Sequence, residues 1–197
     1  MGLNRKDELL LLVAVSGELP ADWIGIAVGS ESYGAALITR LKKEGMLRQR
    51  KKDGLWGYLL SAKAKRYLLA RYPEDVERYL MGSSSTNLVK SEPDKRLRLH
   101  RMSMVWILCR KAGIGIFTHQ KPAIPWEMGR TTEPGVLWEQ SDWAAYYGVA
   151  EWKRPEDLEI KGSRACGLLF GNRGYIVYNT MDRLMKWTPK IERNLAG

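Results

Sequence analysis

The stretch from Ser30 to Leu60 constrains the fold more than any other part of the chain, because it predicts a helix, a glycine stop and a tight hairpin in direct succession. Tyr33, Leu37 and Leu41 recur at four-residue intervals, and this spacing predicts one apolar stripe along the helix. Ser30 suits the N-cap position, since its hydroxyl can accept a hydrogen bond from a free N–H of the first turn. The pattern therefore predicts a helix that packs by one face.

A basic hairpin is predicted directly after this helix. Gly45 suits the left-handed residue that often follows a helix end. Apolar and basic residues alternate from Leu47 to Lys51, and Asp53-Gly54 is typical of a tight hairpin turn with positive φ. The alternation resumes from Trp56 to Leu60 on the returning strand. A helix followed by a basic hairpin is the DNA-contacting part of a winged helix-turn-helix, so we expect this stretch to bind DNA.

Two shorter helices are predicted before this stretch and one after it. Apolar positions indicate helices from Arg5 to Val15 and from Ala21 to Val28, with a glycine-containing turn before the third helix. Three short helices in this order match the helix-turn-helix pattern. A fourth helix is expected to begin at the cap Ser61 and to end before Pro73. Residues 1–80 are therefore predicted to form a winged helix-turn-helix domain.

A linker and a second domain are predicted for the rest of the chain, giving an α+β protein. Residues 81–94 contain GSSSTN and SEP, which are small, polar and hard to bury, and they are read as the linker. Residues 95–197 are predicted to form a small α+β domain with antiparallel strands, whose role is left open. The chain ends soon after a predicted helix start, which allows for a truncated domain. The strand-like segments are Ile114 to Thr118, Gly135 to Trp138, Ala144 to Val149, Ala165 to Phe170, Tyr175 to Asn179 and Leu184 to Trp187.

Positive charge is concentrated where this geometry would use it. The chain has a net charge of +10 and an isoelectric point near 9.6, which suits a polyanionic partner. From Arg40 to Lys52 there are seven basic residues and one acid, and such a cluster can neutralise several phosphates of double-stranded DNA. Thr39 and Arg40 lie off the apolar stripe and are predicted to reach base edges. The predicted DNA-binding residues are Ser32, Thr39, Arg40, Lys42, Lys43, Arg48, Arg50, Lys51 and Lys52.

A second basic run begins the predicted second domain. The helix from Lys95 to Lys111 has six basic residues and no acid. These residues are expected either to extend the DNA-binding surface or to remain a solvated helix start. The later turns, residues 102–109, are almost wholly apolar and are expected to be buried.

Targeting and redox signals predict a cytoplasmic protein with no membrane partner and no cofactor. No stretch approaches the roughly 18 apolar residues of a membrane span, and the N-terminal residues do not form a secretory signal. Cys109 and Cys166 lie far apart and outside any CxxC pair. We therefore expect reduced thiols in the core.

Enzyme signatures are mostly absent, and no catalytic or metal-ligating residue is predicted. The phosphate-binding motif GxxxxGK[ST] is missing, and His100 and His119 are too far apart for a local metal-binding motif. One alternative is an Mg²⁺-dependent, nuclease-like second domain. There Asp142, Glu151 and Lys153 would hold the metal and position an attacking water.

Another alternative is a protein-interaction or assembly module, in which the winged helix contacts a protein partner. The fourth helix carries Tyr67, Leu68 and Tyr72. These side chains could form the contact of a homodimer, or they could equally pack on the second domain.

Two motifs carry a family resemblance, LKKEGML at residues 41–47 and GYLLSAKA at residues 57–64. The first corresponds to a recognition helix, a glycine and a strand, and the second to a strand followed by a serine-capped helix. With the rest of residues 4–68 they resemble the winged-helix part of the replication-relaxation proteins of bacterial plasmids and conjugative elements. Residues 98–114 and the segments GSRACGLLF, YIVYNT and MKW also resemble later parts of such proteins. The resemblance implies DNA binding in replication, transfer or regulation of mobile DNA, and it identifies no catalytic residue.

Overall fold

The computed structural model of the chain describes residues 3–81, 92–122, 144–152, 165–171, 174–179 and 189. These residues form a mixed α+β structure with two small antiparallel sheets. The helices are α1 (Arg5–Ser16), α2 (Ile24–Val28), α3 (Glu31–Lys43), α4 (Ala62–Arg71), α5 (Pro73–Leu80), α6 (Pro93–Lys111) and α7 (Val149–Trp152). The strands are β1 (Leu19–Pro20), β2 (Leu47–Lys52), β3 (Leu55–Leu60), β4 (Ala145–Gly148), β5 (Ala165–Phe170) and β6 (Gly174–Tyr178). Single turns of 3₁₀ helix cover Ala21–Trp23 and Thr118–Gln120.

Helix α1 is the centre of the core because it is apolar on almost every side. Its residues from Leu9 to Val15 are almost completely buried, since α4, α5, α6 and β3 all pack around them. The side chain of Asn4 accepts a hydrogen bond from the N–H of Asp7 at 2.9 Å, which caps the first turn. Burying Leu9 to Val15 among these elements contributes a large apolar surface to the core of the first half.

Capping and turn signals are confirmed on both sides of the hairpin. Ser30 and Ser61 each accept a hydrogen bond from the backbone N–H three residues ahead, at 3.3 and 3.1 Å. Gly45 follows α3 with a φ of 70°, and the turn residues Asp53 and Gly54 have φ angles of 54° and 72°. Aspartate and glycine tolerate this left-handed region better than other residues. Local chemistry therefore fixes the order of α3, hairpin and α4.

The buried stripe of α3 differs from the predicted one. Tyr33 is 45% exposed, and Gly34 takes its place beside Leu37 and Leu41 in the buried face. Each four-residue step rotates a side chain by about 40° around an α-helix, so two steps turn Tyr33 about 80° away from Leu41. The prediction that Tyr33 belongs to the apolar stripe is therefore wrong.

The first sheet has the strand order β1–β3–β2 and contains the predicted hairpin. Gln49 of β2 lies opposite Tyr58 of β3, and Leu19 of β1 lies opposite Tyr58 on the other side. Strand β1 lies between the first two predicted helices, where no strand was predicted. A strand of two residues is too short to produce a periodic signal, so β1 could not be read from the pattern.

The second half of the chain starts with α6 at Pro93, two residues before the predicted start at Lys95. Proline suits the first helical turn, where its missing N–H leaves no hydrogen bond unmade. Residues 82–91 of the predicted linker lie outside the described part of the chain. Cys109 and Cys166 are both buried, as predicted, and burial raises the pKa of the Cys109 thiol to about 11.

The second sheet has the order β4–β5–β6, and β5 and β6 form an antiparallel hairpin from two of the predicted strand segments. The strand predicted from Ile114 to Thr118 is wrong, because among the described residues this segment makes a single bridge, from Gly115 to Ala145, before a 3₁₀ turn. The strands predicted at residues 135–138 and 184–187 lie outside the described residues.

Arg96 of α6 binds both Glu18, directly before β1, and the backbone of the hairpin. Arg96 and Glu18 are both completely buried, with Nη2 of Arg96 2.5 Å from Oε1 and Nε 3.1 Å from Oε2 of the carboxylate. Arg96 also donates to the backbone carbonyls of Lys52 and Leu55, at 2.7 and 3.3 Å. Nε2 of His100 lies 3.1 Å from Oε1 of Glu18. A side chain of the second half therefore holds the backbone at the tip of the hairpin.

The surroundings of Glu18 leave little room for change. A Cβ atom at Gly57 would lie 2.6 Å from Oε1 of Glu18 and 2.9 Å from Nε2 of His100, so a glycine is required there. Burial alone would raise the pKa of Glu18, but hydrogen bonds and positive charge from His100 and Arg96 outweigh it and lower the pKa. The carboxylate therefore stays ionised at neutral pH and completes the pair.

We predict that Arg96→Ala lowers the free energy of unfolding by about 3–5 kcal/mol, because it removes the guanidinium that binds both oxygens of the buried Glu18 carboxylate. Urea unfolding of the purified variants measures this change. Arg98→Ala, on the exposed side of the same helix, is the matched control and should change stability by less than about 0.5 kcal/mol. Equal stability of the two variants would contradict the assignment of Arg96 as the buried anchor.

Candidate nucleic-acid interface

The exposed face of α3 carries four of the residues predicted to contact DNA. At 100° per residue, Ser32, Thr39 and Lys43 lie within about 40° of one line along the helix, opposite its buried face. Lys42 flanks this line on the side that faces the hairpin. The hydroxyl of Thr39 donates to the carbonyl of Ala35 at 2.9 Å, which leaves the hydroxyl oxygen as an acceptor. The helix thus presents two ammonium groups and two hydroxyls on one surface.

Arg40 lies on the other flank of α3 and binds a carboxylate there. Its Nε is 2.7 Å from Oε1 of Glu44, and Nζ of Lys6 is 2.6 Å from Oε2. Hydrogen bonds from Lys6 and Arg40 lower the pKa of Glu44. The helix turns about 100° between Thr39 and Arg40, so these two residues face different directions. Arg40 remains exposed, but its guanidinium belongs to this flanking ion pair.

The polar and basic residues of the hairpin divide between its two faces, because successive side chains of a strand point in opposite directions. Gln49 and Lys51 lie opposite Tyr58 and Trp56 in the ladder and share their face, which looks toward α3. The other face carries Arg48, Arg50 and Lys52. The predicted hairpin contacts therefore form two separate groups.

Several basic side chains form ion pairs with buried or half-buried carboxylates, so they do not belong to a continuous basic surface. Nη1 of Arg50 lies 4.0 Å from Oε2 of Glu18, next to the pair formed by Arg96. Arg110 of α6 pairs with Glu8 of α1. The second basic run is therefore not a uniformly solvated surface. Its exposed members are Lys95, Arg98 and Lys111.

A groove of about 400 Å³ separates α3 from the hairpin. Trp56 is 46% exposed along it, and the Nζ atom of Lys51 lies 5.2 Å from the centroid of its ring. Lys42 donates to Oε1 of Gln49 at 2.8 Å, which links the helix to the hairpin. The alternation from Trp56 to Leu60 predicts a strand but does not place Trp56 or Tyr58 beside α3. The predicted hairpin places Trp56 opposite Lys51 and Tyr58 opposite Gln49. This cross-strand pairing is the sequence signal that could have indicated a shared face beside α3.

The candidate Mg²⁺ ligands of the nuclease alternative are described only in part. Asp142 and Lys153 lie outside the described residues. Glu151 is 8% exposed, and its two carboxylate oxygens are each 2.6 Å from a donor, Nζ of Lys121 and the N–H of Gly148. Both oxygens of this carboxylate therefore have partners inside the protein.

Lys121 and Glu151 form another buried ion pair. The side chain of Lys121 is 3% exposed, and its Nζ also donates to the carbonyls of Ile116 and Tyr146, each at 3.0 Å. Burial lowers the pKa of Lys121, although the negative charge of Glu151 favours the charged form. Three acceptors satisfy the three protons of the ammonium group, which is the arrangement of a structural lysine.

The side chains considered for a homodimer, on α4 and at Tyr72 directly after it, contact α1 of the same chain. The hydroxyls of Tyr67 and Tyr72 donate to the two carboxylate oxygens of Asp7, at 2.8 and 2.5 Å, and Leu68 is completely buried. Burial and the hydrogen bond to Asp7 raise the pKa of Tyr67 to about 12. These side chains therefore serve the internal packing of the first half.

The chain was compared with family models, curated proteins and solved structures. No family model, no curated protein and no solved structure matches this chain. Within the described ranges, no helix combines the length and apolar character needed to cross a membrane. Among the same residues, no three His, Cys, Asp or Glu side chains form a group that could hold a metal ion.

Glu151→Ala tests whether this carboxylate is structural. We predict that it lowers the free energy of unfolding by about 3–5 kcal/mol, because the buried ammonium of Lys121 loses its partner. Glu77→Ala removes an exposed carboxylate of α5 and should be nearly neutral in the same urea titration. A stable Glu151→Ala variant that loses an Mg²⁺-dependent strand-cleavage activity would favour the nuclease alternative instead.

Proposed function

We propose that residues 3–80 form a winged helix-turn-helix module that binds double-stranded DNA. In this proposal α3 enters the major groove and the hairpin lies against the neighbouring backbone. The observation that carries the proposal is the exposed face of α3, where lysines and hydroxyl groups stand beside a basic hairpin. A major groove admits an α-helix, and these side chains are of the types that contact base edges and phosphates.

The positions of the side chains suggest a division of roles. Thr39 and Ser32 occupy the middle of the exposed face and would meet base edges. Lys43 at the end of α3 and Lys51 on the hairpin would bind phosphates, because ammonium groups neutralise the backbone without reading its sequence. Arg40 would bind a phosphate from the flank, since Glu44 holds its guanidinium away from the central line.

The biological process rests on the family resemblance of residues 4–68. That resemblance extends the proposal to a role in replication, transfer or regulation of a mobile genetic element. Duplex binding itself does not depend on this extension, because it is argued from the surface of α3 and the hairpin.

Fluorescence anisotropy of a labelled duplex, measured across a salt series, tests the proposal. We predict that affinity falls steeply with salt, with a log–log slope close to −0.9 for each phosphate neutralised. The double variant Lys43→Glu/Lys51→Glu should bind at least about tenfold more weakly and should lower the magnitude of the slope by about 2.

A matched control separates the proposed surface from the overall charge. Arg66→Glu/Lys111→Glu reverses two exposed basic residues on α4 and α6, so it changes the net charge by the same amount. Its affinity should stay within about threefold of the wild-type value. Equal losses in both double variants would show that binding reflects charge alone, and no binding by the wild type would reject the proposal.

A further inference from the structure

The groove beside α3 contains a feature that duplex binding does not require. Trp56 exposes 46% of its surface on β3, although burying an indole ring is strongly favourable. The groove opens along this ring and is bounded on the other side by α3. We propose that it accepts one unpaired nucleobase of a DNA strand, stacked on Trp56. This inference rests on the proposed DNA-binding function and names its substrate class, a duplex that continues into a single strand.

The walls of the groove fit a flat aromatic ligand. Trp56 and the nearly buried Tyr58 supply aromatic surface from the hairpin, and Ala35 and Ile38 supply apolar surface from α3. Every nucleobase has a π-face, so an exposed indole can stack on any of them. The groove volume of about 400 Å³ lies within the usual range for small-molecule sites.

The groove has positive charges that suit a phosphate and negative charges that suit the edge of a base. Lys42 lines it near Gln49, and Lys51 lies over the ring of Trp56, so positive charge is available for the sugar–phosphate backbone. Asp22 and Glu31 also line the groove, and both are acidic. Carboxylates repel phosphates but accept hydrogen bonds from the N–H groups of a base edge.

Only an unpaired base can use all of these groups together. In a duplex both faces of a base are stacked and its Watson–Crick edge is paired. Proteins that bind an extruded base read that edge by hydrogen bonds and stack the ring between aromatic or apolar side chains. The carboxylates of Asp22 and Glu31, the ring of Trp56 and the apolar wall of α3 provide these two kinds of contact.

Three DNA probes separate stacking from charge. The first is a short blunt duplex, and the second is the same duplex with a single-stranded thymidine tail, tested with 5′ and 3′ polarity. The third carries a tail of equal length made of abasic sugars, which keeps the phosphates and removes the bases. Wild-type protein should bind one polarity of the thymidine-tailed duplex about tenfold more tightly than the other two probes.

Substitutions at Trp56 test whether its ring causes the preference for the thymidine tail. Trp56→Ala should lose the preference for the thymidine tail while its affinity for the blunt duplex stays within about twofold, and Trp56→Phe should keep part of the preference. Tyr33→Ala is the matched control, because Tyr33 is 45% exposed but lies on α3 outside the groove. This control should retain the full preference.

The outcomes distinguish this inference from the proposed function. Equal wild-type affinity for all three probes, or a thymidine preference that survives Trp56→Ala, overturns the inference and leaves duplex binding intact. Binding of the tailed duplex alone, lost in Trp56→Ala, supports the inference and overturns blunt-duplex binding. If no probe binds, both are overturned.

Discussion

The buried pair of Arg96 and Glu18 is the interaction on which the position of the hairpin depends. Both charged groups are completely buried, and such a pair is tolerated only when every lone pair and proton finds a partner. Arg96 achieves this by binding Glu18 and the backbone carbonyls of Lys52 and Leu55 together. The tip of the hairpin is therefore held by a helix that lies more than 35 residues further along the chain. This contact therefore fixes the position of the hairpin within the proposed DNA-binding surface.

The basic residues have two different roles that the sequence does not distinguish. Arg96 and Arg110 neutralise carboxylates of the first half, whereas Lys42, Lys43 and Lys51 remain at the surface. Helical rotation and strand alternation make the division, since they decide which side chains reach the interior. The net charge of +10 is therefore a poor guide to the interface, and the position of each basic residue matters more.

Local signals predicted the first half of the fold well, because capping and turn chemistry act within a few residues. Ser30 and Gly54 have the roles that their residue types predict. The position of Tyr33 was wrong because four-residue spacing drifts around a helix. The burial of Arg96 could not be predicted, since its partner Glu18 lies 78 residues away and no local pattern links them. In the candidate site, the residue types of α3 were predictable, but the groove along Trp56 depends on tertiary packing.

The most direct test of the central claim is a map of the DNA contact on the protein. Amide chemical shifts of isotope-labelled protein would be followed by NMR during titration with a blunt duplex. Binding through the proposed surface predicts that the largest shifts fall on residues 31–43 and 47–52, with smaller changes on α4 and α5. Largest shifts on α5, on the C-terminal half of α6 or on the β4–β6 sheet would contradict the account.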